Sequence, residues 1–306
     1  MRLRIHIIIN PGSGQPKPIL HTLNAVFRPK DIDWDISLTK KSGDAERFAR
    51  QAAESGANIV AAYGGDGTVM EVARGLIGLE TPLAIIPGGT ANLMAVELGI
   101  PKDLSKAIEV AADEGSILHP IDVGIVKNGY FLLRVGMGFS ARKVEYADRK
   151  LKDRFGVMAY SLAAVKAVTA KNEANYRLTV DGNVYEVRTR ACQAYNAGNM
   201  GKPGTAPVPG ISVEDGLLDL LVLRENAIIP LLTHGMEHAI RHSSDLFYHW
   251  QGRQIYIESD PPQSVHIDGE IVGTTPIEIG ILPKAIRVLA PGESVKPGNL
   301  GSPPLH

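Results

Sequence analysis

Glycines surround a single aspartate in the segment Gly64-Gly65-Asp66-Gly67-Thr68, which lies between an apolar run and a helical pattern. Glycine allows a backbone to approach phosphate oxygens and to adopt positive φ. A helix that follows such a loop offers free N–H groups and a positive dipole end to an anion. Because Asp66 would repel phosphate unless Mg²⁺ lay between them, the segment predicts a site for a metal-bound nucleotide. A tight turn capped by Asp66 is the structural alternative.

Two further loops contain the same residue types. Pro87-Gly88-Gly89-Thr90-Ala91-Asn92 follows the next apolar run, and Asn10-Pro11-Gly12-Ser13-Gly14 follows the first one. Either loop alone could be an ordinary turn, but together with the first loop they indicate phosphate binding. No Gly-x4-Gly-Lys-Ser/Thr is present, and no Gly-x-Gly-x-x-Gly opens a helix. The sequence therefore excludes a Walker P-loop and disfavours an ordinary dinucleotide-binding fold.

Strand and helix signals alternate over about the first 120 residues and would position these loops. Strands are predicted at 3–9, 33–38, 58–62 and 83–86, and helices at 17–27, at 43–54, from about 68 and after 90. Such alternation indicates a parallel sheet with crossover helices. Ligands of these sheets gather beyond the carboxyl ends of the strands, where all three loops are expected.

Short strands with turn signals prevail after about residue 120. They are predicted at 121–126, 130–135, 176–180, 184–190, 218–223, 254–258, 264–267 and 275–279, with helical stretches near 141–170 and 227–242. Asn128-Gly129 and Asp181-Gly182 are strong hairpin signals. The predicted domains are therefore an α/β domain at 1–120 and an antiparallel β domain at 121–284. The strand at 285–295 could return to either domain, and 296–306 is expected to be a loose tail.

The combination of the loops at 64–68 and 87–92 resembles the catalytic domain of diacylglycerol, sphingosine and ceramide kinases. The resemblance to the bacterial lipid kinases of that group extends over nearly the whole chain. It includes Asn10 to Gly14, Asp215-Gly216-Leu217-Leu218-Asp219-Leu220 and Asp268-Gly269-Glu270. The loop at 64–68 is shared with NAD kinases and phosphofructokinases. The resemblance thus implies a fold like theirs for the α/β domain and a C-terminal antiparallel β-sandwich.

The resemblance also implies a function for individual residues. The ATP contacts would be Asn10, Pro11, Gly12, Ser13, Gly14, Thr39, Gly64, Gly65, Asp66, Gly67, Thr68, Glu71 and Thr90. Asp66 matches an essential aspartate that organises Mg²⁺ and the transferring phosphoryl group, and Glu270 matches the general base. Asp215, with the backbone carbonyls of Leu218 and Leu220, matches a structural Mg²⁺ site. The implied activity is ATP-dependent phosphorylation of a lipid hydroxyl, with diacylglycerol as the leading acceptor.

Two other functions stay open. An NAD kinase would share the first loop, but its further Asn-Glu and Gly-Ser-Thr-Ala-Tyr-like segments are absent. A non-catalytic nucleotide or lipid sensor could keep the same fold, although both acids, Asp66 and Glu270, are in place. Two segments depart from the family pattern, namely Gly138-Phe139-Ser140-Ala141 and Asn199-Met200-Gly201-Lys202. Both lie in the second predicted domain and so concern the acceptor rather than ATP.

Composition narrows the classes of partner. A net charge of −1 and a pI near 6.8 argue against nucleic-acid binding by the whole chain. The single cysteine, Cys192, excludes an internal disulfide and is predicted to be buried and inert. No apolar run approaches the ~18–20 residues that cross a bilayer. We therefore expect a cytoplasmic protein that contacts membranes peripherally to reach its lipid, and a homodimer is among the oligomeric states left open.

Two other patterns have a simpler structural interpretation. Basic residues in the stretch 142–154 alternate with acids, so they could form a solvated helix face or contact anionic headgroups. His234, His238 and His242 are spaced four residues apart on a predicted helix. The outer two would lie ~12 Å apart, so the three cannot bind one metal and are expected to form a polar face.

Overall fold

The computed structural model describes residues 2–13, 17–127, 129–138, 173–225 and 246–292. The chain divides into two compact units. The N-terminal unit comprises Met1–Ile121, Asn199–Pro209 and Lys284–His306, and the C-terminal unit comprises Asp122–Gly198 and Gly210–Pro283. The chain thus returns to the N-terminal unit twice after first leaving it.

Parallel strands alternate with helices in the N-terminal unit. The strands are β1 (Arg4–Ile9), β2 (Asp33–Leu38), β3 (Ile59–Gly64) and β4 (Leu83–Pro87). The helices are α1 (Ile19–Phe27), α2 (Asp44–Glu54), α3 (Asp66–Leu76), α4 (Leu93–Glu97) and α5 (Leu104–Ala112), with a 3₁₀ turn at Arg28–Lys30. All pairings of these strands are parallel, in the order β2-β1-β3-β4. The predicted parallel α/β fold is confirmed.

Burial along these strands follows their position in the sheet. Every residue of β3 and β4 is buried, as expected for central strands with helices on both faces, whereas the edge strand β2 is largely exposed. Because the strands are parallel, the loops after β1, β3 and β4 begin at the same edge of the sheet. The three glycine-containing loops that were predicted to bind phosphate therefore begin at this edge.

The C-terminal unit is built from antiparallel strands. They are β5 (Ile117–Val126), β6 (Gly129–Phe131), β7 (Arg134–Met137), β8 (Ala174–Val180), β9 (Asn183–Thr189), β10 (Cys192–Tyr195), β11 (Leu218–Leu223), β12 (Phe247–Gly252), β13 (Gln254–Asp260), β14 (Ser264–Ile267), β15 (Glu270–Thr274) and β16 (Ile277–Ala290), of which β5 begins and β16 ends in the N-terminal unit. One sheet has the order β12-β11-β10-β7-β14-β15, and β13 pairs with β8 and β16. Buried side chains from both sets, including Val135, Leu220, Tyr176 and Ile255, form one core. The predicted antiparallel β-sandwich is confirmed.

Element bounds differ from the sequence prediction in several places, among them the predicted strand at 130–135, which is two strands, β6 and β7, and strand β15, which was not predicted. Helix α3 begins at Asp66 rather than near Thr68, because Gly65 takes the N-cap position. The predicted strands at 275–279 and 285–295 belong to one continuous strand, β16, whose last part pairs with β4. Strands β10 and β12 were not predicted, since four residues in one and mixed aromatic and polar residues in the other give weak periodicity.

Several sequence features lie outside the described residues. They are Gly14, Asn128, the segment 139–172 with the basic stretch, the segment 226–245 with His234, His238 and His242, and the tail after 292. Within the part of the chain that is described, no helix has the length and apolar character needed to span a bilayer. Cys192 is buried, which confirms that part of the prediction, and burial raises the pKa of its thiol.

Candidate functional site

The loops after β3 and β4 contact each other through their glycines. The Gly88 N–H donates to the Gly64 carbonyl at 2.8 Å. A Cβ on Gly89 would lie 2.5 Å from the Cα of Gly65, and a Cβ on Gly64 would lie 2.5 Å from the Thr68 side chain, both closer than real Cβ atoms come. Packing therefore requires several of these glycines, in addition to any role at a phosphate.

Asn10 joins the loop after β1 to the same place. Its Nδ2 donates to Oγ1 of Thr68 at 2.9 Å, and its backbone N–H donates to the Tyr63 carbonyl at 3.0 Å. Its Oδ1 accepts from the Gly12 N–H at 3.0 Å, and its carbonyl accepts from the Ser13 N–H at 3.1 Å. The three predicted phosphate loops therefore meet at the N-terminus of α3.

The N-terminus of α3 has no side-chain cap. Gly65 holds the N-cap position, and the first backbone bond of the helix runs from the Val69 N–H to the Gly65 carbonyl at 3.0 Å. The amide groups of Gly67 and Thr68 precede that bond and are not used by the helix. Gly67 is exposed, and no atom lies within 4 Å of the position that its Cβ would take. Donors that the helix leaves unused, beside an exposed glycine, suit an anion such as phosphate.

Asp66 lies at the first position of α3 and links it to α4. Its Oδ1 accepts from the Met94 N–H at 3.4 Å. Burial raises the pKa of this carboxyl, while the N–H groups of Met94, Leu93 and Asn92 oppose the rise. A partly desolvated carboxylate is stabilised by a nearby cation, so a divalent metal ion suits this position.

The remaining predicted nucleotide contacts lie around these loops. Thr39 follows β2, and its N–H donates to the Ile9 carbonyl at 3.0 Å. Pro11 and Thr90 are exposed. The loop of Thr90 is closed by Asn92, which sits at φ 50° and exchanges hydrogen bonds of 2.9 and 2.8 Å with the backbone of Gly89.

Glu71 differs from the others because its carboxylate already has partners. One oxygen accepts from Oγ of Ser42 at 3.1 Å, and the other accepts from the Ala45 N–H at 3.2 Å. Gly43, the N-cap residue of α2, supplies no side-chain cap. Glu71 therefore stabilises the start of α2 in this structure, a role that sequence analysis did not foresee.

Glu270 lies in the C-terminal unit, at the first position of β15. It pairs with Ile267 across a turn in which Asp268 has φ 47° and Gly269 has φ 98°. Two central residues with positive φ are typical of a tight hairpin turn. Glu270 is exposed, so its carboxylate is available to a ligand.

Asp215 lies near two other carboxylates of the same unit. Its Oδ1 accepts from the Leu217 N–H at 2.9 Å. Burial raises the pKa of Asp215, as do the negative charges of Asp219 and Asp122, and the Leu217 N–H opposes them. Oδ2 of Asp122 accepts from the Gly216 N–H at 2.6 Å. Like charges at such proximity would be relieved by a cation.

Asp219, like Asp122, is fully buried. Its Oδ1 lies 2.6 Å from Nε2 of His249 and accepts from Nε2 of Gln251 at 3.0 Å. Its Oδ2 is buried and has no hydrogen-bond partner among the described residues.

Leu218 and Leu220 lie beside Asp219 on the buried strand β11. Leu220 pairs with strands on both sides, whereas Leu218 pairs with β12 alone. In the described ranges, no three His, Cys, Asp or Glu side chains are grouped so that they could hold a metal. A cation near Asp215 would therefore need backbone carbonyls or water as further ligands.

Comparison with known proteins gives the family. Residues 4–126 match the family model described as the diacylglycerol kinase catalytic domain. Residues 134–290 match the one described as the YegS C-terminal NAD kinase beta sandwich-like domain. The chain belongs to the diacylglycerol kinase catalytic-domain family.

Individual relatives agree with this assignment. An uncharacterized protein from Synechocystis is 31% identical, over 94% of this chain and 70% of its own length. A protein from Staphylococcus haemolyticus, provisionally named a lipid kinase, is 32% identical over 83% of this chain and 84% of its own length. A crystal structure described as a diacylglycerol kinase from Bacillus anthracis is 29% identical, with a TM-score of 0.76, and covers 94% of this chain and 96% of that one. The chain is thus of the lipid kinase type, with a kinase-like catalytic domain.

Besides the Glu71 contacts and the Gly65–Gly89 approach, four contacts of the candidate site were not foreseen from the sequence. They are the Asn10–Thr68 bond, the Asn92 loop closure, the Asp122–Gly216 bond and the contacts of the Asp268 carboxylate described below. Asn92 had a usable signal, because asparagine is enriched at left-handed positions after glycines. The other three join residues far apart in sequence, for which one sequence offers no local pattern.

Proposed function

We propose that this protein is an ATP-dependent lipid kinase that transfers the γ-phosphoryl group to a lipid hydroxyl, with diacylglycerol as the leading acceptor. The observation that carries the proposal is the meeting of three glycine-bearing loops at the uncapped N-terminus of α3, with the Asp66 carboxylate beside it. Phosphoryl transfer needs positioned phosphates, neutralised charge and an acceptor for the hydroxyl proton.

The N-terminal unit would bind the nucleotide. The proposed contacts are Asn10, Pro11, Gly12, Ser13, Gly14, Thr39, Gly64, Gly65, Asp66, Gly67, Thr68, Glu71 and Thr90. The amides of Gly67 and Thr68 would donate to phosphate oxygens, and Asp66 would hold the Mg²⁺ that neutralises their charge. Glu71 would serve indirectly, since its carboxylate already caps α2.

The C-terminal unit would supply the proton acceptor. Glu270 is exposed at a turn and would take the proton from the acceptor hydroxyl as the new O–P bond forms. Asp215, with the carbonyls of Leu218 and Leu220, would hold a second, structural Mg²⁺. The raised pKa of Asp215 next to Asp219 and Asp122 supports a cation there. We assign nucleotide binding to residues 1–120 with the returning strand, and lipid recognition to 121–284, although Asn199–Pro209 of that range belongs to the N-terminal unit.

A lipid substrate implies a place of action. We propose that the protein works in the cytoplasm and contacts the membrane peripherally. A homodimer is one oligomeric state that we propose for it.

The deciding experiment supplies γ-labelled ATP and Mg²⁺ with a panel of acceptors in mixed micelles. The panel contains diacylglycerol, phosphatidylglycerol, a sphingoid base, ceramide, an isoprenoid alcohol and free NAD⁺. We expect label in one lipid, and loss of that label in the Asp66→Ala and Glu270→Gln variants. Label in NAD⁺ would favour an NAD kinase, and nucleotide binding without any transfer would favour a sensor.

A further inference from the structure

The Asp268 side chain fastens one hairpin turn to a distant segment of the chain. Its carboxylate accepts backbone N–H groups from three consecutive residues, Leu132 at 3.1 Å, Leu133 at 3.1 Å and Arg134 at 2.9 Å. Its own N–H donates to the Arg134 carbonyl at 3.1 Å. Four hydrogen bonds therefore join a single turn residue to residues 132–134, which lead into β7.

The carboxylate of Asp268 is hard to replace at this position. Oδ1 serves Leu133 and Arg134, while Oδ2 serves Leu132. An asparagine would keep one acceptor oxygen and turn an N–H group toward the third donor. Burial raises the pKa of Asp268 to about 6, although the three N–H groups favour its charged form. A partly buried carboxylate at a turn tip therefore has a desolvation cost that its contacts must offset.

Glu270 is separated from this anchor by Gly269 alone. Strand β15, which begins at Glu270, is the last strand of its sheet, and among the described residues it pairs with β14 alone. All five residues of β15 are exposed. Since β14 is the one strand that pairs with β15 in the part of the chain that is described, the turn at Asp268 is the nearest fixed point to the Glu270 carboxylate.

We infer that Asp268 is the positioning residue for Glu270, because its carboxylate fixes the turn against residues 132–134 and so sets the place from which Glu270 accepts a proton. The inference rests on the proposed role of Glu270 as general base. Displacement of a catalytic group by about 1 Å can cost roughly a hundredfold in rate, so a loosened turn should lower kcat.

The chain offers a matched control at another hairpin. Asp181 has φ 45°, precedes Gly182, and accepts backbone N–H groups from Arg253 at 3.0 Å and Gln254 at 2.8 Å. Its own N–H donates to the Gln254 carbonyl at 2.9 Å. The two aspartates thus share turn chemistry, but Asp181 lies at the turn between β8 and β9 rather than beside Glu270.

Glycine is the informative substitution at both turns, because it removes the carboxylate and still accepts positive φ. We expect Asp268→Gly to lower kcat by roughly tenfold to a hundredfold, with KM for MgATP unchanged. We expect Asp268→Asn to fall between that variant and the wild type, since it keeps one acceptor oxygen. Asp181→Gly should leave kcat unchanged, although we expect its melting temperature to fall about as far as that of Asp268→Gly.

A double-mutant cycle decides whether Asp268 acts through Glu270. In the Glu270→Gln background, Asp268→Gly should cause no further loss of kcat, because the group that it positions is already gone. An equal loss in both backgrounds, or an equal loss in Asp181→Gly, would show a merely structural role and overturn the inference.

Amide exchange gives a readout that does not depend on activity. In Asp268→Gly, the amides of residues 132–134 should exchange faster than in the wild type, while the central strands β10 and β11 keep their protection. Unchanged exchange at 132–134 would overturn the inference even if the protein phosphorylates lipid. Conversely, a wild-type protein that labels no lipid would defeat the proposed function, while faster exchange would still support anchoring of the turn.

Discussion

Nδ2 of Asn10 donates to Oγ1 of Thr68 at 2.9 Å, and this single bond joins the loop after β1 to the first turn of α3. The two residues are 58 positions apart in the chain. Their bond brings the loop 10–13 beside the uncapped helix end, so it shapes the site proposed for the nucleotide phosphates.

Loss of the Asn10 side chain should weaken nucleotide binding more than it weakens the fold. Asn10→Ala removes the bond to Thr68 and the bond to the Gly12 N–H. At ~1 kcal/mol for each bond, we expect KM for MgATP to rise roughly fivefold to thirtyfold. The matched control is Asn58→Ala, which removes a similar bond of 2.8 Å to the Arg4 N–H at the amino end of β1. Equal effects of the two variants on KM would contradict the prediction.

Two glycines of the phosphate loops should respond differently to alanine. Gly89→Ala would place its Cβ 2.5 Å from the backbone of Gly65, so we expect a lower melting temperature together with lost activity. Gly67→Ala meets no atom within 4 Å and places alanine in a helix, so stability should rise by up to about 1 kcal/mol. Because the new methyl group would occupy the space proposed for phosphate, KM for MgATP should rise as well. Thermal denaturation and kinetics on the same samples would check both, and Gly67→Ala with unchanged KM would argue against phosphate at this helix end.

The glycine loops show which features of the fold and the site can be predicted from one sequence. Their position after buried strands gave the α/β fold and the edge of the sheet where a ligand belongs. The close contact between Gly65 and Gly89 was invisible, because it depends on which strands are neighbours rather than on either loop. For the same reason the sequence offered no partner for Asp268 in the segment Asp268-Gly269-Glu270. The bonds that make Asp268 an anchor reach residues 134 to 136 positions away, beyond any local pattern.

The raised pKa of Asp268 predicts a pH dependence of stability. Its pKa is about 6 in the fold against 3.8 for the ordinary group, so the folded state binds the proton more tightly than the unfolded state. The stabilising contribution is fully present below about pH 4 and is lost as the pH rises toward 6. Relative to Asp268→Asn, the wild type should therefore lose up to about 3 kcal/mol of unfolding free energy between pH 4 and pH 7. Urea denaturation of both proteins across this range measures the difference, and parallel curves would contradict the assignment.

Exposed apolar side chains beside Glu270 should contribute to binding of the lipid body. Ile271 is 49% exposed and Val272 is 54% exposed, on an edge strand that has a bulge at this point. Neighbouring residues of a strand are ~3.3 Å apart along its axis. A lipid whose hydroxyl meets the Glu270 carboxylate therefore has its hydrocarbon part close to Ile271 and Val272. We expect Ile271→Asn with Val272→Asn to raise KM for a long-chain acceptor severalfold, because each buried CH₂ contributes ~0.8 kcal/mol. KM for MgATP should not change. Val184→Asn, at a site 51% exposed on β9, is the matched control for a lost surface valine. If it raises the lipid KM as much as the double variant does, the loss of any exposed apolar side chain has this effect, and the strand that carries Glu270 has no special part in it.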